Sequence, residues 1–333
     1  MAREVVVYIH GVTPQGQYSH QWQYAALHEA LRKRIGEDFP ADFCGVEWGW
    51  AAPDTPARSH QLLSSAEMRL GARAIGAVGD ASDFTLNPLR IAVNKFRGLM
   101  IYGLSDMFYY VSEDGKSAVR YAAAAAILKY LKPMLADPQA QISLTLLGHS
   151  AGSIVAYDLL FYLFYKDRKV QSFIDASKVK VPASDAGTAA DMSAPAKIET
   201  LGDLQRLKAM AQLGQLRVRR LVTFGSPITP LAFRSDAVLS ILARPDGGAK
   251  PNRLTAEHYG LTVNPESFPP LHGPRWLNFW DKDDPIAWPV EPLMLQAPDV
   301  VRDVYVDVSD DITNAHGEYW QDEEFQKRVA EAW

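Results

Sequence analysis

Ser150 is the centre of Gly148-His149-Ser150-Ala151-Gly152, the first place in the chain where spacing suggests chemistry. A serine hydroxyl is a weak nucleophile until a base lies within hydrogen-bond reach and a third group orients that base. The Gly-x-Ser-x-Gly spacing suits a sharp strand-to-helix turn. Its glycines relieve crowding, while the serine is held in a strained conformation that pushes its hydroxyl clear. The helix that follows would supply free N–H groups and positive potential where an oxyanion forms. The bare pattern is common, and a turn capping a buried helix could carry the same letters. Context separates the two. The apolar run Ile142 to Leu147 precedes it as an expected buried strand. Ser153 to Tyr165, apolar on nearly all sides, follows it as an expected buried helix.

A base and an acid must then come from elsewhere. His316, in Asn314-Ala315-His316-Gly317-Glu318-Tyr319-Trp320, follows the last expected strand and precedes the last expected helix. Loops beyond the C-terminal ends of parallel strands face one crevice, so His316 is the candidate base. Of the other histidines, His10 and His149 sit inside motifs and are read as supporting the turns. His20 and His28 belong to the first helix region, and His60, His258 and His272 to insertions. Asp281-Lys282-Asp283-Asp284-Pro285-Ile286 follows the expected strand Arg275 to Trp280. Asp284 is chosen as the acid because Pro285 turns the chain just beyond it. Asp283 is the close competitor, and Asp281 is read as strand end. His10-Gly11-Val12 ends the first strand. In this architecture that loop gives one oxyanion donor, the N–H of Val12 (Thr13 next), beside the N–H of Ala151. The chain order Ser150, Asp284, His316 fits the same scheme.

Positioning these groups requires alternating strands and helices, hence an α/β fold with a mostly parallel sheet of about six strands flanked by helices. Strands are expected at Val5 to Ile9, Phe43 to Trp50, Ile142 to Leu147, Leu216 to Phe224, Arg275 to Trp280 and Val300 to Val308. Tyr24, Leu27, Leu31 and Ile35 stripe a helix that Gly36 stops, and Phe325, Val329 and Trp333 stripe a last one. Helices are also expected over Ala118 to Leu135 and Leu201 to Leu213. The chain reads as a single domain, 1–333, with three interruptions: a helical insertion over 51–115, a mobile excursion over 167–198 and an irregular insertion over 231–274. In the first, Asn87-Pro88 opens a stripe of Leu89, Val93, Phe96, Met100, Leu104 and Phe108. That stripe fits a packed helix, a lid offering an apolar face to substrate, or a membrane-surface helix.

Composition removes other classes. Lys and Arg number 34 against 39 Asp and Glu, and the formal net charge of -5 argues against nucleic-acid binding, which needs a basic face. The lone Cys44 lies in an apolar run, as a buried hydrophobe would. The N-terminal apolar run is too short for a signal peptide. Ile154 to Tyr165 contains Asp158 and is too short to span a bilayer, so no transmembrane segment is expected and a cytoplasmic location follows as the default. Peripheral membrane contact through the 89–108 stripe stays open. His28-Glu29 lacks the second histidine of a zinc-protease helix, no phosphate-binding glycine loop is found, and no Cys/His cluster suits zinc. No metal or cofactor is expected; oligomeric state is not specified.

Taken in order, His10-Gly11, Gly148 to Gly152, Thr223-Phe224-Gly225-Ser226-Pro227, Asp284-Pro285-Ile286 and His316 with Tyr319-Trp320 give the chain its resemblance to a known family. It resembles the α/β-hydrolase superfamily, and within it the lipase-like serine esterases. The resemblance implies hydrolysis of a small-molecule or lipid-like ester through an acyl-enzyme, without metal or cofactor. A thioesterase, amidase or peptidase would use the same three residues, and a degenerate hydrolase could serve as a binding or scaffold module. Two departures stand out: the two leading strands of the larger family sheet are expected to be absent, and 51–115 matches no family element.

Overall fold

Three successive valines explain how the sheet begins. Val5, Val6 and Val7 are β-branched, suit extended backbone, and lie in β1 (Arg3–Ile9). Val5, Val7 and Ile9 point to one apolar cluster and Val6 and Tyr8 to another, so this strand is buried on both faces. Each such side chain contributes about 1.5–3 kcal/mol. The computed structural model describes residues 2–11, 20–48, 110, 112–165, 173–177, 179, 194–232, 273–293, 300–312 and 314–333. The apolar stripe at 89–108, most of the three expected interruptions, Val12, Thr13, His60, His258 and His272 lie outside the described residues.

Six strands form one all-parallel sheet: β1, β2 (Asp42–Val46), β3 (Ile142–His149), β4 (Leu216–Phe224), β5 (Trp276–Trp280) and β6 (Val301–Tyr305), in spatial order β2-β1-β3-β4-β5-β6. Helices α1 (Gln21–Ile35) and α7 (Glu323–Ala332) cover one face through Tyr24, Leu27, Leu31, Phe325 and Val329. The other face carries α2 (Glu113–Leu135), α3 (Ala151–Phe164) and α4 (Ala194–Gln212). Two short helices, α5 (Ile228–Ala232) and α6 (Ala315–Glu318), follow β4 and β6. The chain steps from β1 outward to β2, then returns to place β3 on the other side of β1. That reversal opens a crevice beyond the C-terminal ends of β1 and β3, the place where sheets of this kind bind ligands.

The ends of elements carry their own physics. Gly36 closes α1 at φ 83°, a conformation that favours glycine. Ser112 caps α2 by accepting the Gly115 N–H at 3.0 Å, which starts that helix five residues before the expected Ala118. Pro195, in the first turn of α4, lacks only an N–H that has no helical acceptor there, and α4 begins inside the expected mobile excursion. β2 stops at Val46 rather than Trp50, because Trp48 turns inward and donates its indole N–H to the His10 carbonyl at 2.8 Å. β6 stops at Tyr305 rather than Val308, because the Val308 and Ser309 N–H groups donate to the Asp281 carboxylate, at 2.7 and 3.2 Å, instead of to a strand. Cys44 is buried, and burial pushes its thiol up to about 12, which removes it as a nucleophile. Among the described residues no helix is long and apolar enough to cross a membrane.

Candidate functional site

β3 delivers Ser150 to the crevice and α3 starts at the next residue. The turn between them puts Ser150 at φ 52° and ψ -128°, and among the described residues it is the non-glycine residue with positive φ. Such a conformation costs about 1–3 kcal/mol and persists only where surroundings over-determine it. Here they do. The Ser150 N–H donates to the Phe224 carbonyl of β4 at 3.0 Å. The Ser150 carbonyl accepts both the N–H of Ser153, at 3.0 Å, and its hydroxyl, at 2.5 Å. Because the Ser153 proton is committed there, the Ser226 hydroxyl, 2.8 Å away, donates to Ser153. A chain of two buried hydroxyls thus fastens the strained peptide.

The glycines are explained by close approach. A Cβ on Gly152 would lie 2.2 Å from the Ile9 carbonyl oxygen of β1, and one on Gly148 would lie 2.7 Å from the Ser153 Cα. Gly11 abuts the serine itself, since a Cβ there would lie 2.4 Å from the Ser150 Cβ. Gly152→Ala is therefore expected to force α3 away from β1 and destabilise the fold by about 1–3 kcal/mol or more. Urea unfolding of the variant checks this, and an unchanged midpoint would refute it.

His316 lies in α6, beyond β6, and its Nε2 is 2.8 Å from the Ser150 Oγ. Its Nδ1 is 2.9 Å from one Asp284 carboxylate oxygen and 3.1 Å from the other. A carboxylate accepts, so Nδ1 carries the proton and Nε2 offers its lone pair to the serine hydroxyl. Asp284 is buried, and its Oδ1 also accepts the Ile286 N–H at 2.9 Å across the Pro285 turn. Burial pushes its carboxyl up, but the charge and hydrogen bonding of His316 outweigh that, and the net shift is below the ordinary carboxylate value. Asp284 is thus poised to remain ionised beside an imidazolium.

The two neighbouring aspartates have other partners. The Asp283 carboxylate pairs with Lys282 at 3.3 Å and is partly exposed. Asp281 is fully buried and knits loops: it accepts N–H groups from Val308, Ser309 and, at 2.8 Å, Asp283. Its own N–H donates to the Tyr319 hydroxyl at 3.1 Å.

His10 and Gly11 buttress the first loop. The His10 ring is stacked between Trp48, with centroids 5.2 Å apart, and His20, at 4.1 Å. Its Nδ1–H donates to the Gly11 carbonyl at 2.6 Å, and its Nε2 accepts the Trp48 N–H at 3.2 Å. Burial, then repulsion from His20, pushes the ring well below the usual histidine range, so it holds one proton and can both donate and accept. Val12 falls outside the described residues; Ala151 opens α3, where a backbone N–H has no helical acceptor.

Two clusters bear on metals. His10, His20 and Glu47 approach one another, but the imidazoles are stacked within 10° of parallel, so their in-plane lone pairs do not converge on one ion. In the group Asp281, Asp283 and Asp307, the Asp281 oxygens already accept three backbone N–H groups.

The structure therefore brings together Ser150, His316 and Asp284, with Gly11 against the serine. The arrangement can draw a proton from the Ser150 hydroxyl onto Nε2 while Asp284 balances the charge formed. Ser153 and Trp48 were given no role from sequence, and Ser226 entered only within the Thr223 to Pro227 landmark. Parallel register gives the signal for Ser226: Gly148 pairs with Thr223 and His149 with Phe224, so the Gly225-Ser226 turn leaves the sheet beside Ser150. Compared with models of protein families, with curated proteins and with solved structures, the chain finds no match.

Proposed function

We propose that this protein is a serine hydrolase of the α/β-hydrolase superfamily, lipase-like, cleaving carboxylic esters. The observation that supports it is the unbroken run from Asp284 through His316 to a strained Ser150 at the crevice of a parallel sheet. His316 takes the Ser150 proton as the oxygen attacks the ester carbonyl, and Asp284 stabilises the imidazolium. The N–H groups of Ala151 and Val12 hold the tetrahedral oxyanion. His316 then protonates the departing alcohol. Water, deprotonated by the same imidazole, releases the acid from the acyl-enzyme. A small-molecule or lipid-like ester is the substrate class this chemistry suits, and no step calls for a metal or cofactor.

A fluorophosphonate probe tests the nucleophile directly, because its phosphorus is trapped by an activated serine and not by ordinary hydroxyls. The expected result is one adduct per chain, mapped by mass to the peptide containing Ser150 and absent in Ser150→Ala. A folded chain that forms no adduct would overturn the reading in favour of a binding module. Esters, thioesters and amides of matched acyl length, ranked by kcat/KM, then identify the bond cleaved; esters are expected to lead.

A further inference from the structure

His149 precedes the nucleophile but takes no part in the steps above. Its ring is buried among aromatic neighbours: His316 at a centroid distance of 4.9 Å, Phe224 at 5.1 Å, Trp320 at 5.5 Å and Tyr319 at 6.0 Å. Its Nε2 lies 2.7 Å from the backbone carbonyl oxygen of His316. A carbonyl only accepts, so the proton sits on Nε2 and His149 is the donor. The backbone bonds of the His316 segment are local, Ala315 N–H to the Asp311 carbonyl at 2.9 Å and Gly317 N–H to that of Asn314 at 2.8 Å. The 149–316 bond instead crosses from the last residue of β3 to that segment.

We infer that His149 is a positioning residue: its Nε2–H clamps the backbone of His316 to the strand that carries Ser150, fixing the base at attacking distance from the nucleophile. The inference rests on the serine-hydrolase reading. A base held at both its carboxylate contact and its own carbonyl cannot drift from the serine without breaking one of the two. Gly225, at φ 59°, makes room beneath both rings, since a Cβ there would lie 3.2 Å from the His149 Nε2 and from the His316 Nδ1.

The charge state of the clamp matters as well. Burial first, and repulsion from His316 next, lower the His149 ring to about 3; Asp284 acts in the opposite direction and His20 in the same one. His149 therefore stays neutral when His316 becomes an imidazolium, and no second cation opposes the proton transfer.

Three variants test the clamp. Phe at 149 fills the ring volume without a donor, Gln places an amide N–H near the former Nε2, and Asn is one methylene too short. His149→Phe is expected to lower kcat about a hundredfold with KM changed less than about twofold, the signature of a misplaced base rather than lost binding. Fluorophosphonate labelling should slow in parallel. His149→Gln is expected to exceed His149→Asn in kcat by roughly tenfold, and this pair reads the bond even if Phe at 149 unfolds the chain. Equal rates for Gln and Asn in folded chains would overturn the clamp, as would wild-type kcat in His149→Phe. Wild-type protein that takes no label at Ser150 would instead overturn the hydrolase reading beneath it.

Discussion

Ser150→Ala is expected to reduce kcat on an activated ester about a millionfold, to the level left by binding and oxyanion contacts alone. In the proposed mechanism the substitution removes the attacking oxygen and leaves His316 and Asp284 as an idle acid–base pair. It should spare the fold. Alanine keeps a Cβ in the same strained conformation, and the bonds that hold the turn run through the backbone of residue 150 and the side chains of Ser153 and Ser226, none of which changes. A melting temperature within a few degrees of wild type, together with loss of the acyl-enzyme burst, is the combined result expected. Turnover persisting at the wild-type rate would mean that another group attacks the substrate.

Asp284→Asn is expected to cost about ten-thousandfold in kcat, with the shape of the site preserved. An amide has nearly the outline of a carboxylate but can present N–H to the imidazole. The ring then accepts at Nδ1, carries its proton on Nε2, and has no lone pair for the Ser150 hydroxyl. Asp283→Asn is the control, since that side chain pairs with Lys282 rather than with His316. It should change kcat by less than about twofold, and a larger loss from Asp283→Asn than from Asp284→Asn would refute the assignment of the acid. Stability carries a second readout. The folded carboxyl of Asp284 titrates below the usual 3.8, so its stabilising contribution is complete above that value and is lost as pH falls through the lower folded one. In Asp284→Asn that part of the acid limb should flatten.

Much of this arrangement was legible from residue types because its main signals are local. Gly-His-Ser-Ala-Gly between an apolar strand and an apolar helix points to a sharp strand-to-helix turn. The Asp-Pro dipeptide marks where the chain leaves β5, and His316 stands just beyond β6. A mostly parallel sheet of about six strands followed from apolar runs alternating with helical stripes, whereas the spatial order β2-β1-β3-β4-β5-β6 did not. What sequence patterns did not reveal depends on contacts between strands far apart in the chain. The strand ends at Val46 and Tyr305 are set by side chains that capture backbone groups, Trp48 on His10 and Asp281 on Val308, and both override an apolar run that would otherwise continue the ladder. His149 was read as a support for its own turn, whereas its partner is the backbone of a residue 167 positions away. The start of α4 within an Ala-, Ser- and Pro-rich stretch was hidden because composition there looks like loop until Pro195 is placed in a first turn.

The wide separation of the site's parts also has a consequence for the life of the polypeptide on the ribosome. The hydroxyl of Ser150 and the imidazole of His316 are 166 residues apart in the chain, so at about 5–20 residues per second the second is synthesised roughly 10–30 s after the first. Throughout that interval β1 and β3 can already pair, yet the serine has no proton acceptor. Under the proposed hydrolase mechanism, a nascent chain therefore carries its strand-end serine in a dormant form, and activity switches on only when the segment beyond β6 docks. On that proposal, ribosome-bound chains arrested before residue 316 are expected to be silent toward any ester turned over by the released protein.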